Sequence, residues 1–294
     1  MTAGIVVLNF LNNSVTDNTL QELLKQENIH KYHIAVVDNG SNNGSIEILQ
    51  EKYADLVNVS VLSVSENLGY ARGNDVGIRY LLKNGIDNIL VMNSDIMFVD
   101  KNGLETMFSG IPEHVGVVGP NIIGKYGNPA NPINISVGLK DTFIRVGYNS
   151  FRNIIPKTIK VKVKNSTNDK TTVSPQSRLS NADDNFFLHG GAYILTSDYF
   201  KNIPELYPKT FLYYEAQILK ILTIKFGLKH YFNAEVKMKH LEDQSSDMAF
   251  GDNSKMKQKM VAKSQMVAIV LYFKLLGPNK FIKDWKRNIE NNKF

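Results

Sequence analysis

Short apolar runs at residues 5–10, 34–37, 57–64, 89–92 and 115–118 alternate with polar stretches at 17–26, 45–53 and 71–84 whose apolar positions recur at helical spacing. Strand-length runs that alternate with helix-length segments predict a mostly parallel, doubly wound sheet with crossover helices, the arrangement of a nucleotide-binding half-domain. Asn43, Gly44 and Ser45 offer a cap for the second helix. From residue 124 to about 184 the pattern gives way to clusters of Gly, Pro, Asn, Ser and Thr, with a basic alternating stretch at 157–164. A long loop region with one hairpin is expected there. Regular patterning returns at 185–197, then as a helix at about 214–226, a short strand at 230–232 and a helical tail.

Composition narrows the chemistry. With 294 residues, 43% of them hydrophobic, the chain can bury a substantial core. It has no cysteine, which excludes disulfides, thiolate zinc sites and a cysteine nucleophile, so a catalytic metal must sit on carboxylate or histidine. The net charge of +6 is uneven: from Lys255 onward ten Lys or Arg face only Asp284 and Glu290, a net +8, while the preceding residues sum to about −2. A slightly acidic body argues against nucleic acid as a partner. The N-terminus reads as a buried strand without the basic start of a signal peptide, and no stretch approaches the ~20 apolar residues of a spanning helix. A cytoplasmic, non-spanning protein is expected.

In open α/β sheets ligands bind at the carboxyl ends of strands, which directs attention to the polar residues closing each run. The first closes with Asn9, the second with Asp38 and Asn39, the fourth with Asn93, Ser94 and Asp95. A carboxylate after a buried strand can accept hydrogen bonds from a ribose or base, and Asp95 can ligate the divalent cation that accompanies a nucleotide diphosphate. Each segment taken singly also suits a tight turn or a helix cap. Gly69 would permit close backbone approach, and Arg72 offers a planar, permanently charged fork for phosphate. No Gly-x-Gly-x-x-Gly follows the first strand, which disfavours a dinucleotide-dependent oxidoreductase.

Four ordered motifs carry a resemblance: Val-Val-Leu-Asn-Phe, Val-Val-Asp-Asn-Gly-Ser-Asn-Asn-Gly-Ser, Glu-Asn-Leu-Gly-Tyr-Ala-Arg-Gly-Asn-Asp-Val-Gly-Ile and Leu-Val-Met-Asn-Ser-Asp. Over residues 3–246 the sequence resembles the family 2 glycosyltransferases, particularly their rhamnosyltransferase-like group. The resemblance implies a GT-A fold, a Rossmann-like nucleotide-binding sheet (1–123) merged with an acceptor-binding half (124–250), with the basic tail at 251–294. It implies that Asn9, Asp38 and Asn39 meet the nucleoside and that Gly69, Arg72 and Asn74 lie along nucleotide and diphosphate. Asp95 would bind Mg²⁺ or Mn²⁺, with Asn93 and Ser94 completing an Asp-x-Asp-like motif.

In the second half, Phe-Leu-His-Gly-Gly-Ala-Tyr-Ile-Leu and Tyr-Pro-Lys-Thr-Phe-Leu-Tyr-Tyr-Glu-Ala-Gln-Ile-Leu look like the family's acceptor side. The family pairs two acids before the helix; here Glu215 is followed by Ala216, leaving Glu215 as the sole local candidate for the base. His240 matches a late histidine near diphosphate and metal, and His189 is a candidate sugar contact; Asp183 and Asp184 are held in reserve. The implied reaction is inverting transfer from a UDP- or dTDP-sugar to a glycan or lipid-linked saccharide in bacterial surface polysaccharide assembly. A catalytically weakened, sugar-nucleotide-binding member is the alternative. For the tail two readings stay open: a basic amphipathic helix on an anionic membrane at the inner face of the plasma membrane, or a helix packed on the domain.

Overall fold

A computed structural model of the chain describes residues 3–134, 186–241 and 254–291, the last segment with side chains from 255 to 280. Of the loop region expected at 124–184, residues from 135 onward, with the basic stretch at 157–164 and the reserve acids Asp183 and Asp184, lie outside the described residues.

The strands are β1 (Ala3–Asn9), β2 (Tyr32–Asp38), β3 (Val59–Ser63), β4 (Asn88–Asn93), β5 (Ile96–Phe98), β6 (Val115–Ile123), β7 (Ile133–Asn134), β8 (Phe186–Phe187), β9 (Ala192–Leu195) and β10 (Lys229–His240). Eight of them form one sheet in the order β3-β2-β1-β4-β9-β6-β10-β5, and β7 pairs with β8 separately. The four strands at the amino-terminal side are parallel, whereas β9 runs antiparallel between β4 and β6. Ile5, Val6 and Val7 are fully buried in succession, as expected of a parallel strand covered on both faces. Register then fixes the working edge: Asn9 lies opposite Asp38, and Leu8 opposite Asn93. The polar residues that close three separate runs are thereby gathered at one rim of the sheet.

Among the described residues the α-helices are α1 (Asn13–Leu24), α2 (Ser45–Tyr53), α3 (Tyr70–Lys83), α4 (Gly103–Phe108), α5 (Ser197–Phe200), α6 (Glu215–Lys225) and α7 (Ser254–Asn291), the last broken by the non-helical Gly277 ahead of Pro278. Helix α3 sits close on β1 and β2 because it presents glycines there. A Cβ on Gly73 would stand 2.9 Å from Leu8 Cδ1, and one on Gly77 2.8 Å from Val6 Cγ1. One core, with Val6, Val37, Ile78, Val91 and Tyr193, lies between the sheet and α3, α6 and α7; the other, with Ile5, Val7, Leu20, Leu49 and Met107, lies under α1, α2 and α4. The second helix starts from a left-handed Gly44, and the side chain of Asn43 accepts from the Ser45 N–H at 3.2 Å.

Two expectations are corrected. The strand expected at 230–232 continues to His240, because Val236 and Met238 are buried and alternate with the outward Lys237 and Lys239, while a register shift between Asn233 and Lys237 separates this stretch from the first part of the strand. The tail also contains a helix, Lys255–Lys280, long and apolar enough by length and composition to cross a membrane, with a mean hydropathy of 1.4 over its most apolar 18 residues. Scattered lysines hide that run when only unbroken apolar stretches are sought.

Candidate active site

At the rim formed by the ends of β1, β2 and β4 lies a cleft of about 210 Å³. Leu8, Phe10, Asn39, Asn93, Ser94 and Asp95 come from the sheet edge, Asn67, Gly69 and Tyr70 from the entry to α3, Phe211, Leu212 and Tyr213 from the approach to α6, and His240 from the end of β10. Six residues singled out in the sequence thus converge on one cleft: Asn39, Gly69, Asn93, Ser94, Asp95 and His240.

Asp95 and His240 are neighbours although 145 residues separate them. The last residue of β10 pairs antiparallel with Ile96, and the Leu241 N–H donates to the Asp95 carbonyl at 2.9 Å, so backbone pairing brings the side chains together. His240 Nε2 lies 3.3 Å from Asp95 Oδ1, and the carboxylate is only slightly exposed. Adjacent ligand atoms of an octahedral ion with ligand distances of 2.0–2.1 Å stand about 3 Å apart, so the pair can serve as two of the donors to a small divalent cation. Among the described residues no group of three or more His, Cys, Asp or Glu side chains gathers to hold a metal. The remaining positions would therefore fall to phosphate oxygens and water, the usual habit of Mg²⁺ at a nucleotide site. The His189 ring stacks edge-on against His240 with centroids 5.5 Å apart, and its Nδ1 accepts from the Gly191 N–H at 3.0 Å, which places it behind His240 and not in the cleft wall.

Other expected contacts are placed elsewhere. Asn9 and Asp38 lie beneath the rim: Asn9 Nδ2 and Ser41 Oγ both donate to Asp38 Oδ1 at 2.6 Å, the Ser41 N–H donates to Oδ2 at 3.1 Å, and Thr16 Oγ1 donates to Asn9 Oδ1 at 2.6 Å. Their polar atoms are engaged in fixing the loop after β2 and do not line the cleft. Asn39, one residue on, does line it; its side chain accepts from the Leu68 N–H at 3.1 Å and donates to Asn67 Oδ1 at 3.0 Å, tying the cleft's two walls together. The helical twist of α3 carries Arg72 to the exposed side and Asn74 to the buried side, where Asn74 Nδ2 donates back to the Tyr70 carbonyl at 2.9 Å. Neither reaches the cleft.

The wall at 211–214 was not anticipated, although its residues stand in the motif that contains Glu215. Gly69 has φ 80 and ψ −177, a region essentially restricted to glycine, and a Cβ there would meet the Phe211 carbonyl oxygen at 2.5 Å. That close approach lets the Tyr70 N–H donate to the same carbonyl at 2.7 Å. From the other side, Ser264 Oγ of α7 donates to the Leu212 carbonyl at 2.6 Å. Between these holds and α6 lie two consecutive left-handed tyrosines, Tyr213 (φ 72) and Tyr214 (φ 70), a conformation that costs about 1–2 kcal/mol per non-glycine residue.

The kink leads directly into the first residue of α6, Glu215. Glu215 lines a separate small cavity with Ala71, Leu206, Tyr207, Thr210 and residues of α6, and its Oε1 is buried without a hydrogen-bond partner. Burial pushes its pKa up to about 7, against the opposing pull of the Glu215 and Tyr213 backbone N–H groups. Asp75, on the same flank of α3 and almost fully buried, is likewise pushed up to about 7 by burial, although the Leu206 N–H donates to it at 2.9 Å.

The chain is 33% identical to the dTDP-rhamnosyl transferase RfbF of Shigella flexneri over 78 residues, which span 26% of this chain and 24% of that protein. Its fold is similar to that of GalNAc-T7 crystallised with UDP, GalNAc and Mn²⁺ (TM-score 0.55, 13% identity), covering 83% of this chain but 45% of that one. It is similar also to the mannosyltransferase PcManGT of Pyrobaculum calidifontis in complex with GDP-Man and Mn²⁺ (TM-score 0.53, 10% identity), covering 93% and 73%. These neighbours share the GT-A glycosyltransferase fold, and the mixed eight-stranded sheet with its carboxyl-edge cleft is that fold. Residues 4–170, more than half of the chain, match the sequence family described as Glycosyl transferase family 2, and the chain belongs to that family.

Proposed function

We propose that the cleft binds a UDP- or dTDP-sugar and that the protein transfers the sugar, with inversion, to a hydroxyl of a glycan or lipid-linked saccharide in bacterial surface polysaccharide assembly. The observation that carries the donor half is the Asp95–His240 pair, 3.3 Å apart in a cleft at the carboxyl edge of the sheet. The similarity to the dTDP-rhamnosyl transferase of Shigella flexneri supports a dTDP-sugar, and the similarity to GalNAc-T7 bound to UDP and Mn²⁺ supports a UDP-sugar with a divalent ion. We place the reaction in the cytoplasm, on the inner face of the plasma membrane.

Asp95 and His240 would hold Mg²⁺ or Mn²⁺ against the diphosphate. When bound, a cation there would supply positive charge to offset what builds on the leaving nucleoside diphosphate. The chain's own groups do the rest: Asn93 presents its amide to the nucleotide, Asn39, whose amide is engaged by Asn67, Gly69 and Leu68, holds the cleft wall in place, and Phe10 and Phe211 give the cleft apolar walls that exclude water. Asn9 and Asp38 act indirectly, by fixing the loop after β2 on which Asn39 depends.

Glu215 is the proposed base. A carboxyl with a pKa near 7 suits proton abstraction at neutral pH, and Glu215 follows within two residues of the cleft-lining Tyr213. Its deep burial, with Ala216 where a second acid could stand, favours one other reading: a family member that binds donor and transfers slowly or not at all. Calorimetric titration with UDP-, dTDP- and GDP-sugars, with and without Mn²⁺, on wild type and Asp95→Ala tests the donor half. Cation-dependent binding of one donor, lost in the variant, is expected; no binding to any donor overturns the proposal. Donor hydrolysis or transfer that falls at least tenfold in Glu215→Gln at unchanged donor affinity would support Glu215 as base, and undiminished turnover would remove it.

A further inference from the structure

Helix α7 packs on the body along one side only. Ser264, Gln265, Ala268, Leu271 and Tyr272 are buried, and α6 is the element it touches most. At 100° per residue these positions form one stripe, and Met266, Val270 and Phe273 form the opposite one, with exposures of 44%, 58% and 37%. The exposed Lys255, Lys259, Lys263 and Lys274 lie along and beside this outer stripe. Residues 255–280 contain six lysines and no acid at all. An exposed apolar stripe in a wholly cationic setting repels a second copy of the same surface and suits one that combines hydrocarbon with negative charge. Since its inner side is held against α6, the helix can lie on such a surface but cannot thread through it in this conformation, although its length and composition would suffice.

We infer that the outer face of α7 is a docking surface for an anionic lipid bilayer, with Met266, Val270 and Phe273 entering the headgroup boundary and the lysines contacting lipid phosphates. The Ser264–Leu212 hydrogen bond joins this helix directly to the cleft wall, so docking would bring the cleft to a fixed station beside the membrane, where a lipid-linked acceptor is confined. The inference deepens the lipid-linked reading of the acceptor, yet it is measured with lipid alone.

The test is sedimentation of the full chain with vesicles of phosphatidylcholine, with and without phosphatidylglycerol, at low and high salt, without sugar nucleotide. Binding that needs phosphatidylglycerol and weakens with salt is expected. The combined M266S, V270S and F273S substitutions, all at exposed positions, should reduce it at least tenfold, and each of Lys259→Gln and Lys263→Gln about fivefold, the loss of about 1 kcal/mol per basic group. Unchanged urea unfolding midpoints establish that the variants fold. Equal binding to both vesicles, no binding, or undiminished binding of the triple variant overturns the inference. So does a dimer in light scattering that the triple substitution dissociates, which would assign the face to a second copy. Since donor titration is a separate measurement, failure of vesicle binding leaves the transferase reading standing, and the reverse also holds.

Discussion

Gly69 is where sequence, backbone and cleft meet most tightly, and replacing it with alanine gives a calculable perturbation. At φ 80 and ψ −177 an alanine costs about 1–3 kcal/mol in backbone strain. The new methyl would also stand 2.5 Å from the Phe211 carbonyl oxygen and 2.9 Å from its Cα, both backbone atoms that cannot rotate aside. Phe211 must retreat, which removes the Tyr70–Phe211 hydrogen bond of 2.7 Å, worth about 1 kcal/mol net. The total destabilisation is about 3 kcal/mol, and because Phe211, Leu212 and Tyr213 form one wall of the cleft, donor affinity should fall at least tenfold. Gly44→Ala provides the control. Gly44 also has positive φ (81), but a Cβ there meets nothing within 4 Å, so only the conformational cost of about 1 kcal/mol remains. Urea unfolding of both variants at equal m-values isolates the steric contribution, and nucleotide titration reports the cleft. If Gly69→Ala proved no less stable than Gly44→Ala and bound donor like wild type, the close approach would have no role in shaping the site.

Asp38→Ala strips acceptors from Asn9 and Ser41 in a buried network and should destabilise the fold by about 3 kcal/mol in urea, whereas Asp95→Ala should leave the unfolding midpoint nearly unchanged while abolishing cation-dependent donor binding; equal effects of the two on stability would refute the division between supporting and ligating carboxylates. Stability should fall as pH rises from about 4 to about 7 and then level off. Burial raises the folded-state pKa values of Asp75 and Glu215 to about 7, so below the unfolded-state pKa no penalty exists, and it becomes complete above the folded one. The loss is on the order of 3–4 kcal/mol for each of the two groups, and Asp75→Asn should flatten the slope by about half; a midpoint that rises from pH 5 to pH 8 would contradict it. Ser264→Ala leaves the Leu212 carbonyl without its donor and should cost about 1–2 kcal/mol together with a measurable loss of donor affinity, and an unaffected affinity would uncouple the tail from the cleft.

What the sequence made legible follows from the range over which its signals act. Runs such as 5–10, 34–37 and 89–92 encode their own strands, because parallel strands buried on both faces are apolar throughout, and the residue that ends each run falls at the ligand edge by construction. Asn39, Asn93 and Asp95 were therefore readable from position alone. Position along the chain was not enough for Arg72 and Asn74, whose side chains point where the turn of α3 sends them. It could not separate Asp38, consumed by its neighbours, from Asn39, which lines the cleft. The three-residue β5 and the charged half of β10 carry weak local patterns, yet their pairing is what sets His240 beside Asp95. The resemblance supplied His240 as a candidate; the reason for its location lies in a tertiary contact that no local window contains.

The segment at 211–214 illustrates the same point for catalysis. Its sequence reads as an ordinary approach to a helix, and nothing in Phe-Leu-Tyr-Tyr announces two successive left-handed residues. Their cost can be met only by interactions from outside: the Gly69 contact and Tyr70 hydrogen bond on one side, and Ser264 of α7 on the other. The kink so maintained has two consequences at once, since it presents Phe211, Leu212 and Tyr213 to the cleft and starts α6 at Glu215, which lines the neighbouring small cavity. A segment that stores strain while held at both ends is a natural place for a change of shape. Relaxing the left-handed pair would reorient the first turn of α6 and with it Glu215, whose carboxyl would give up the backbone N–H groups of Glu215 and Tyr213 while its Oε1 has no partner to lose. On this reasoning the placement of Glu215 is a property of one backbone conformation, and the contacts Gly69–Phe211 and Ser264–Leu212 are the ones that hold it.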